Sequence, residues 1–290
     1  MTYATILAVL DGGPGSDRGL LAGLALGRQF GSHVICLFNE TDPQAAVPVL
    51  GEGMAGVVVE QMIESLQNES AMRLANARAL FERHCIADAT VTVLSDQEAP
   101  PFGALSASFR QVVGQEPDQV ASEGHLVDLL VLPFPDPDGG GVAVTTLDAA
   151  LLDSGRPVFL VPAGDHRVPC RVVTLGWDGS REAAMAASAA LPFLRRAEKV
   201  VILSGGTDDD SMQTGPLVRY LKAHGVAAQS QSFVPGPSGM GEDLIQQTLD
   251  LGGDLLVMGA YGHSRLREML LGGATHEVLK TARIPVLMAH

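Results

Sequence analysis

The chain has 290 residues, 46% of them hydrophobic, and a formal net charge of −14. That length allows two domains of ordinary size, the apolar content suits a well-buried globular fold, and the charge argues against a general nucleic-acid binder. No run reaches about 18 uninterrupted apolar residues, which argues against a membrane span.

The first predicted element is the apolar run Ala4-Thr-Ile-Leu-Ala-Val-Leu, which ends in Asp11-Gly12. No basic segment precedes it, so it reads as a first β-strand and not as a signal peptide. Residues 40–57, rich in Pro, Gly and Val, read as a loop or lid. Asp128-Leu-Leu-Val-Leu is a buried strand followed by Pro133-Phe-Pro-Asp136, and Arg156-Pro157-Val-Phe-Leu-Val closes the unit. A linker falls near Ala163-Gly-Asp-His-Arg-Val-Pro169. The three cysteines, Cys36, Cys85 and Cys170, show no pair spacing and read as reduced thiols of a cytoplasmic protein.

After the linker the pattern repeats. Val172-Val-Thr-Leu-Gly-Trp-Asp178-Gly179 matches the first strand, Asp254-Leu-Leu-Val-Met matches the run from Asp128, and Ile284-Pro285-Val-Leu-Met-Ala matches the closing strand. In the second copy, apolar strand runs at 171–177, 199–204, 226–233, 254–258 and 285–289 alternate with helical patterns near 180–195, 211–224, 241–251 and 273–282. Alternation of this kind implies a parallel sheet with helices on both faces. The expected architecture is α/β, with one such domain over residues 1–165 and another over 166–290. Ligands of such sheets sit at the carboxyl ends of the strands, at the point where the strand order reverses. That rule puts Asp178 and Gly259 in one crevice.

The glycines favour the same place. Gly259 ends a buried strand, Gly262 follows, and after nine more residues Gly272 and Gly273 open a helix that carries Thr275. Bare backbone and a helix N-terminus at this spacing can approach a polyphosphate. Asp178 can accept hydrogen bonds from ribose hydroxyls, or serve as a cap or turn residue before the helix that follows it. Thr275 can offer a hydroxyl to phosphate or cap its helix. Arg265 and Arg267, between the glycine pairs, are candidates for phosphate contacts or members of a solvated loop. His263 and His276 have no metal-ligand spacing, no metal site is expected, and no Ser-His-Asp or paired-carboxylate set supplies a catalytic residue.

Charge separates the two copies. Residues 1–165 carry 7 basic and 21 acidic side chains, and residues 166–290 carry 12 of each. An anionic ligand therefore prefers the second copy. The first copy keeps Asp11, but Pro133 and Pro135 donate no N–H, Asp136 and Asp138 repel phosphate, and Gly139 to Gly141 do not restore the spacing. Its site reads as degenerate.

Gly259, Gly262 and Gly272 together with Asp178 and Thr275 resemble the universal stress protein family in its tandem-domain form. Residue 273 is Gly where ATP-binding members carry Ser or Thr. The resemblance implies two flavodoxin-like domains, related to adenine nucleotide alpha hydrolases, each a five-stranded parallel sheet. It also implies ATP or a related adenine nucleotide in the second domain, with or without Mg²⁺. The two domains would pair within the chain through their last strands, and a homodimer of the whole chain is compatible with the pattern. The role implied is stress response, as a sensor or regulator and at most a slow ATP hydrolase, with neither nucleic acid nor membrane as partner. The rivals are a structural or protein-interaction module without nucleotide and an adenylyl-transferring enzyme of the same broad fold, whose extra signature residues are not found.

Overall fold

Short apolar runs become strands here because a central parallel sheet buries them on both faces. The computed structural model describes residues 2–40, 56–135, 142–164, 168, 170–206, 211–262 and 273–290. Most of the 40–57 stretch, Gly139 to Gly141 and part of the predicted linker lie outside the described residues. The first half runs β1 (Thr5–Val9), α1 (Asp17–Phe30), β2 (His33–Glu40), α2 (Gly56–Phe81), β3 (Thr92–Val93), β4 (Ser106–Val113), α3 (Glu116–Gly124), β5 (Leu129–Pro133), α4 (Val144–Leu152) and β6 (Val158–Val161). The second half runs β7 (Val172–Gly176), α5 (Arg181–Ala189), α6 (Leu191–Leu194), β8 (Lys199–Gly205), α7 (Ser211–Ala223), β9 (Ala228–Phe233), α8 (Met240–Asp250), β10 (Leu255–Gly259), α9 (Ala274–Thr281) and β11 (Val286–Ala289).

All 11 strands form one sheet in the order β3-β4-β2-β1-β5-β6-β11-β10-β7-β8-β9. Each half is doubly wound about its first strand, so the order reverses between β1 and β5 and again between β7 and β10. The parallel five-stranded pattern expected for each copy is present. The first half adds β3, a two-residue edge strand against β4, which the exposed Thr92–Val93 pair did not announce.

The halves meet at the sheet's antiparallel pair, β6 with β11, in the register Leu160↔Val286, Phe159↔Leu287 and Val158↔Met288. A proline precedes each of these strands. It cannot donate, but its carbonyl accepts the first rung from the neighbouring strand, Leu130 N–H onto Pro157 and Leu256 N–H onto Pro285. One core lies on the α1, α2, α5 and α7 face and contains Phe159, Val161, Leu287 and Ala289. The other lies on the α3, α4, α8 and α9 face and contains Val158, Leu160, Val286 and Met288. Both cores therefore cross the seam. On the first face Phe193 of α6 packs on Tyr3, Phe30 and Phe159 with ring centroids 5.4, 5.1 and 5.6 Å away. The Tyr3 hydroxyl donates to the Ala189 carbonyl at 2.5 Å, and Arg196 lies over the Phe30 ring.

The repeated aspartates mark the ends of strands opposite the crevice. Asp128 accepts from the amides of Ala4 and Thr5 at 2.8 and 3.0 Å. Asp254 accepts from those of Arg171 and Val172 at 3.0 and 2.9 Å. In each half the residue before β5 or β10 thus caps the start of β1 or β7. All three cysteines are buried and free. Burial first, and then the neighbouring Cys85 thiol, 49 residues away in sequence, hold the Cys36 thiol well above its ordinary value.

His33 at the start of β2 is buried between two serines of β4, with Nδ1 2.9 Å from Ser106 Oγ and Nε2 3.0 Å from Ser108 Oγ. Burial, and secondarily the Arg110 charge, lower its pKa below the ordinary 6.5. The unfolded chain therefore takes up this proton first as pH falls. His33 costs no stability above about pH 6.5 and a growing amount below it, down to its depressed folded value. Thermal unfolding from about pH 8 to about pH 5 should show the midpoint dropping through the acid half of this window, with a shallower drop in His33→Gln. Equal slopes in the two proteins would remove His33 as the cause.

Candidate nucleotide site

The end of β7 leads into Asp178, Gly179 and Ser180. Asp178 is exposed, and its Oδ1 accepts from the Ser180 amide at 2.9 Å. Gly179, with φ of 78°, supplies the left-handed step that closes this turn. Ser180 is the N-cap of α5, its hydroxyl accepting from the Ala183 amide at 3.1 Å. The helix cap is thus Ser180, and Asp178 is the turn residue, with its carboxylate at the solvent edge of the crevice.

Across the switch point, Gly259 ends β10 against the first turn of α5. A Cβ at Gly259 would stand 2.6 Å from the Ala183 nitrogen and 2.7 Å from the Glu182 carbonyl carbon, so this position admits only glycine. Gly262 is exposed beside the same turn. A Cβ there would lie 3.4 Å from Glu182 Oε2 and 3.7 Å from Ser180 Oγ, within ordinary contact. The structure therefore brings Gly259 and Gly262 against Ser180, Glu182 and Ala183 at the start of α5, and Asp178 follows the neighbouring strand β7. Gly272, Arg265, Arg267 and His263 lie outside the described residues.

Gly273 is the N-cap of α9, at φ −79° and ψ 166° and without a side-chain cap. Thr275 departs from the capping reading. It is 2% exposed, and its hydroxyl oxygen accepts from the Tyr261 amide at 3.2 Å. It does not cap α9 but fastens the glycine turn to the helix. The same turn is held at Ala260, whose amide donates to the Ala289 carbonyl at 2.9 Å and whose carbonyl lies 2.9 Å from His290 Nδ1. Glu277, one helical turn beyond Gly273, accepts from the Gly241 amide at 2.7 Å and joins α9 to the start of α8.

Tyr261 is the residue that sequence reasoning missed. Its φ is 56°, a left-handed conformation that costs a bulky side chain about 1–2 kcal/mol. Its phenol donates to Asp148 Oδ1 on α4 of the first half at 2.7 Å. The only sequence signal was a large aromatic residue between two spaced glycines.

The first half holds the same turn in a different state. The Asp11 carboxylate accepts from the Gly13 amide at 3.2 Å and pairs with Arg73 of α2 at 3.8 Å. Helix α2 lies directly over the turn. A Cβ on Gly12 would fall 2.0 Å from the Arg73 carbonyl oxygen, and Asn76 donates to the Gly12 carbonyl at 3.3 Å. The amide of Phe134, after Pro133, is used by the Val161 carbonyl. Beneath this end Glu116 accepts from Thr146 at 2.7 Å, and burial raises its carboxyl pKa.

Each half is a doubly wound α/β unit with a turn at its switch point, and only the second combines that turn with spaced glycines. A model of the universal stress protein family matches residues 237–290, the stretch that carries the glycine turn. The universal stress protein Slr1230 of Synechocystis sp. is 46% identical over 46 residues, 16% of this chain and 16% of its own length. The universal stress protein MJ0577 of Methanocaldococcus jannaschii is 38% identical over 47 residues, 16% of this chain and 29% of its own. The matches thus span less than a third of these curated relatives. A solved universal stress protein from Archaeoglobus fulgidus DSM 4304 shares the fold over 98% of this chain and 95% of its own, with a TM-score of 0.67 at 13% identity. Residues 237–290 are thus similar to the universal stress protein family, and the whole chain shares the fold of a solved protein of that name.

The two glycines of the turn should respond differently to a methyl group. Gly259→Ala forces backbone apart and should lower stability by about 1–3 kcal/mol, whereas Gly262→Ala should stay within about 0.5 kcal/mol of wild type. Urea denaturation of both variants checks this. Equal losses would mean that the turn and α5 are not packed as described.

Proposed function

We propose that the protein is a stress-response sensor or regulator that binds ATP or a related adenine nucleotide in its second half. The observation that carries this reading is the contact of the Gly262 turn with the Asp178–Ser180 turn at the β7/β10 switch point. There an exposed carboxylate, a glycine backbone and the start of α5 share one crevice. The even charge of the second half favours an anionic ligand there, and α2 covers the matching turn of the first half. Gly272, Arg265 and Arg267 belong to the proposed phosphate end through the sequence pattern alone.

Glu182 faces Gly262 and would repel bare phosphate. Among the described residues no group of three or more His, Cys, Asp or Glu side chains is placed to hold a metal. In this reading a magnesium ion comes with the nucleotide and offsets that charge. No residue is assigned as general base, so turnover is at most slow hydrolysis. No described helix is long and apolar enough to cross a membrane, and the reading places the protein in the cytoplasm. A second reading, an interaction module without nucleotide, draws on the buried Thr275 hydroxyl and the amides of Ala260 and Tyr261 that are already in use.

Calorimetric titration of the intact chain with Mg-ATP tests both. One nucleotide should bind per chain, and the combination of Asp178→Ala with Gly262→Val should abolish binding in a protein that melts as a folded chain. Two equivalent sites, or loss of binding on Asp11→Ala alone, would put the site in the wrong half. A folded wild-type chain that ignores ATP would leave the interaction module.

Residue 273 offers a gain-of-function test. Its backbone angles suit any L-residue, so Gly273→Ser should fold normally. It adds a hydroxyl at the N-cap, where it can bond either the helix or a phosphate. ATP should bind tighter by a factor of a few to about tenfold. Weaker binding by the folded variant, measured in the same titration, would contradict this placement of the phosphates.

A further inference from the structure

The one residue between the two turn glycines with a strained backbone is also a link between the halves. Tyr261 sits at φ 56°, although nothing in a tyrosine side chain favours that region. Three attachments hold its surroundings in place. The Ala260 amide is bound to Ala289 of β11, the Tyr261 amide to Thr275 of α9, and the Tyr261 phenol to Asp148 of α4. The first two belong to the second half. The third reaches 113 residues back along the chain to the half whose own crevice is covered. Tyr261 also packs against the core on this face of the sheet, to which both halves contribute.

We infer that Tyr261 is a positioning residue. Its phenol, anchored on Asp148, holds the Ala260–Gly262 backbone against the Asp178–Ser180 turn, and the first half thereby sets the competence of a site it does not line. The ligand part of this inference rests on the nucleotide reading above; the clamp itself does not. In the present backbone state Gly262 lies beside Ser180 and Glu182, and a return of Tyr261 to an unstrained φ would redirect the chain into Gly262. The hydrogen bond supplies its bias from the side chain. Thr275 and Ala289 fix the entry to the turn, and Asp148 fixes the aromatic ring that follows from it.

The test uses the full chain and separates the two parts. Hydrogen exchange of the Ala260–Gly262 amides is measured without ligand, and Mg-ATP affinity is measured alongside, in wild type, Tyr261→Phe, Asp148→Ala, Asp148→Asn and the Tyr261→Phe/Asp148→Ala pair. Phenylalanine keeps the ring and removes the hydroxyl. Exchange at these amides should rise and ATP affinity fall by about three- to tenfold in Tyr261→Phe and in Asp148→Ala. The double variant should be no worse than either single one, as for two ends of one bond. Asp148→Asn, which keeps an acceptor oxygen, should restore both to within about twofold. Unchanged exchange in Tyr261→Phe, or additive effects in the pair, would overturn the clamp. Altered exchange with unaltered ATP affinity would overturn the positioning role. A wild-type chain that binds no ATP would overturn the nucleotide reading and the ligand part with it, while the exchange data would still decide the clamp.

Discussion

The antiparallel pairing of β6 with β11 is the constraint on which the rest depends. Each half taken alone is a five-strand pattern whose last strand is apolar on both faces and carries unpaired backbone groups on one side. Such an edge is a template for association. Placing the two edges together satisfies both backbones, merges the cores on either face, and lets a proline stand at the head of each strand without an orphaned donor. The aromatic cluster of Tyr3, Phe30, Phe159 and Phe193 fills the same seam on one face, and the Tyr261–Asp148 bond crosses between the halves elsewhere. A substitution in either half near this line is therefore felt by both.

One fold has been given two fates. Both halves end their first strand in Asp-Gly at a reversal of strand order, and both carry an aspartate-bound amide in the turn that follows. In the first half a 26-residue helix rests on that turn, and its Arg73 meets the aspartate. In the second half the aspartate stays exposed, and a glycine turn lies beside Ser180 and Glu182 just after it. The difference is one of what lies above the sheet, since the strand order beneath is the same.

How much of this could be read from the chain depended on whether the signal was local. Strand and helix positions in the second half match the apolar periodicity closely; the helix expected near 211–224 spans Ser211–Ala223. The neighbouring of β7, which leads into Asp178, with β10, which ends at Gly259, is what the rule for switch points expects. The cap position did not, because Asp178 and Ser180 are both good capping residues and only the hydrogen bonds separate them. Gly259 carried a functional expectation, yet its glycine is demanded by α5 packing at 2.6 Å. The seat of α2 on Gly12, the Cys36–Cys85 contact and the left-handed Tyr261 were hidden for one shared reason. Each is a contact between residues far apart in sequence, and no composition or spacing rule encodes what a helix face or a turn meets once the chain is folded.

The seam also sets an order of events during synthesis. The first half can flank β1 on both sides and cap its start only once β5 and Asp128 have been made, since that carboxylate binds the Ala4 and Thr5 amides. By then β6 is about to follow, but its partner β11 is separated from it by the whole second half. A nascent chain thus carries a finished first half with one open apolar edge for as long as the ribosome needs to add more than a hundred residues, at about 5–20 per second. For several seconds that edge can be matched by the β6 of a neighbouring nascent chain as well as by its own β11. The charge asymmetry bears on this interval: the 21 acidic side chains gathered in residues 1–165 make two such half-built chains repel one another before the neutral second half arrives to close the sheet.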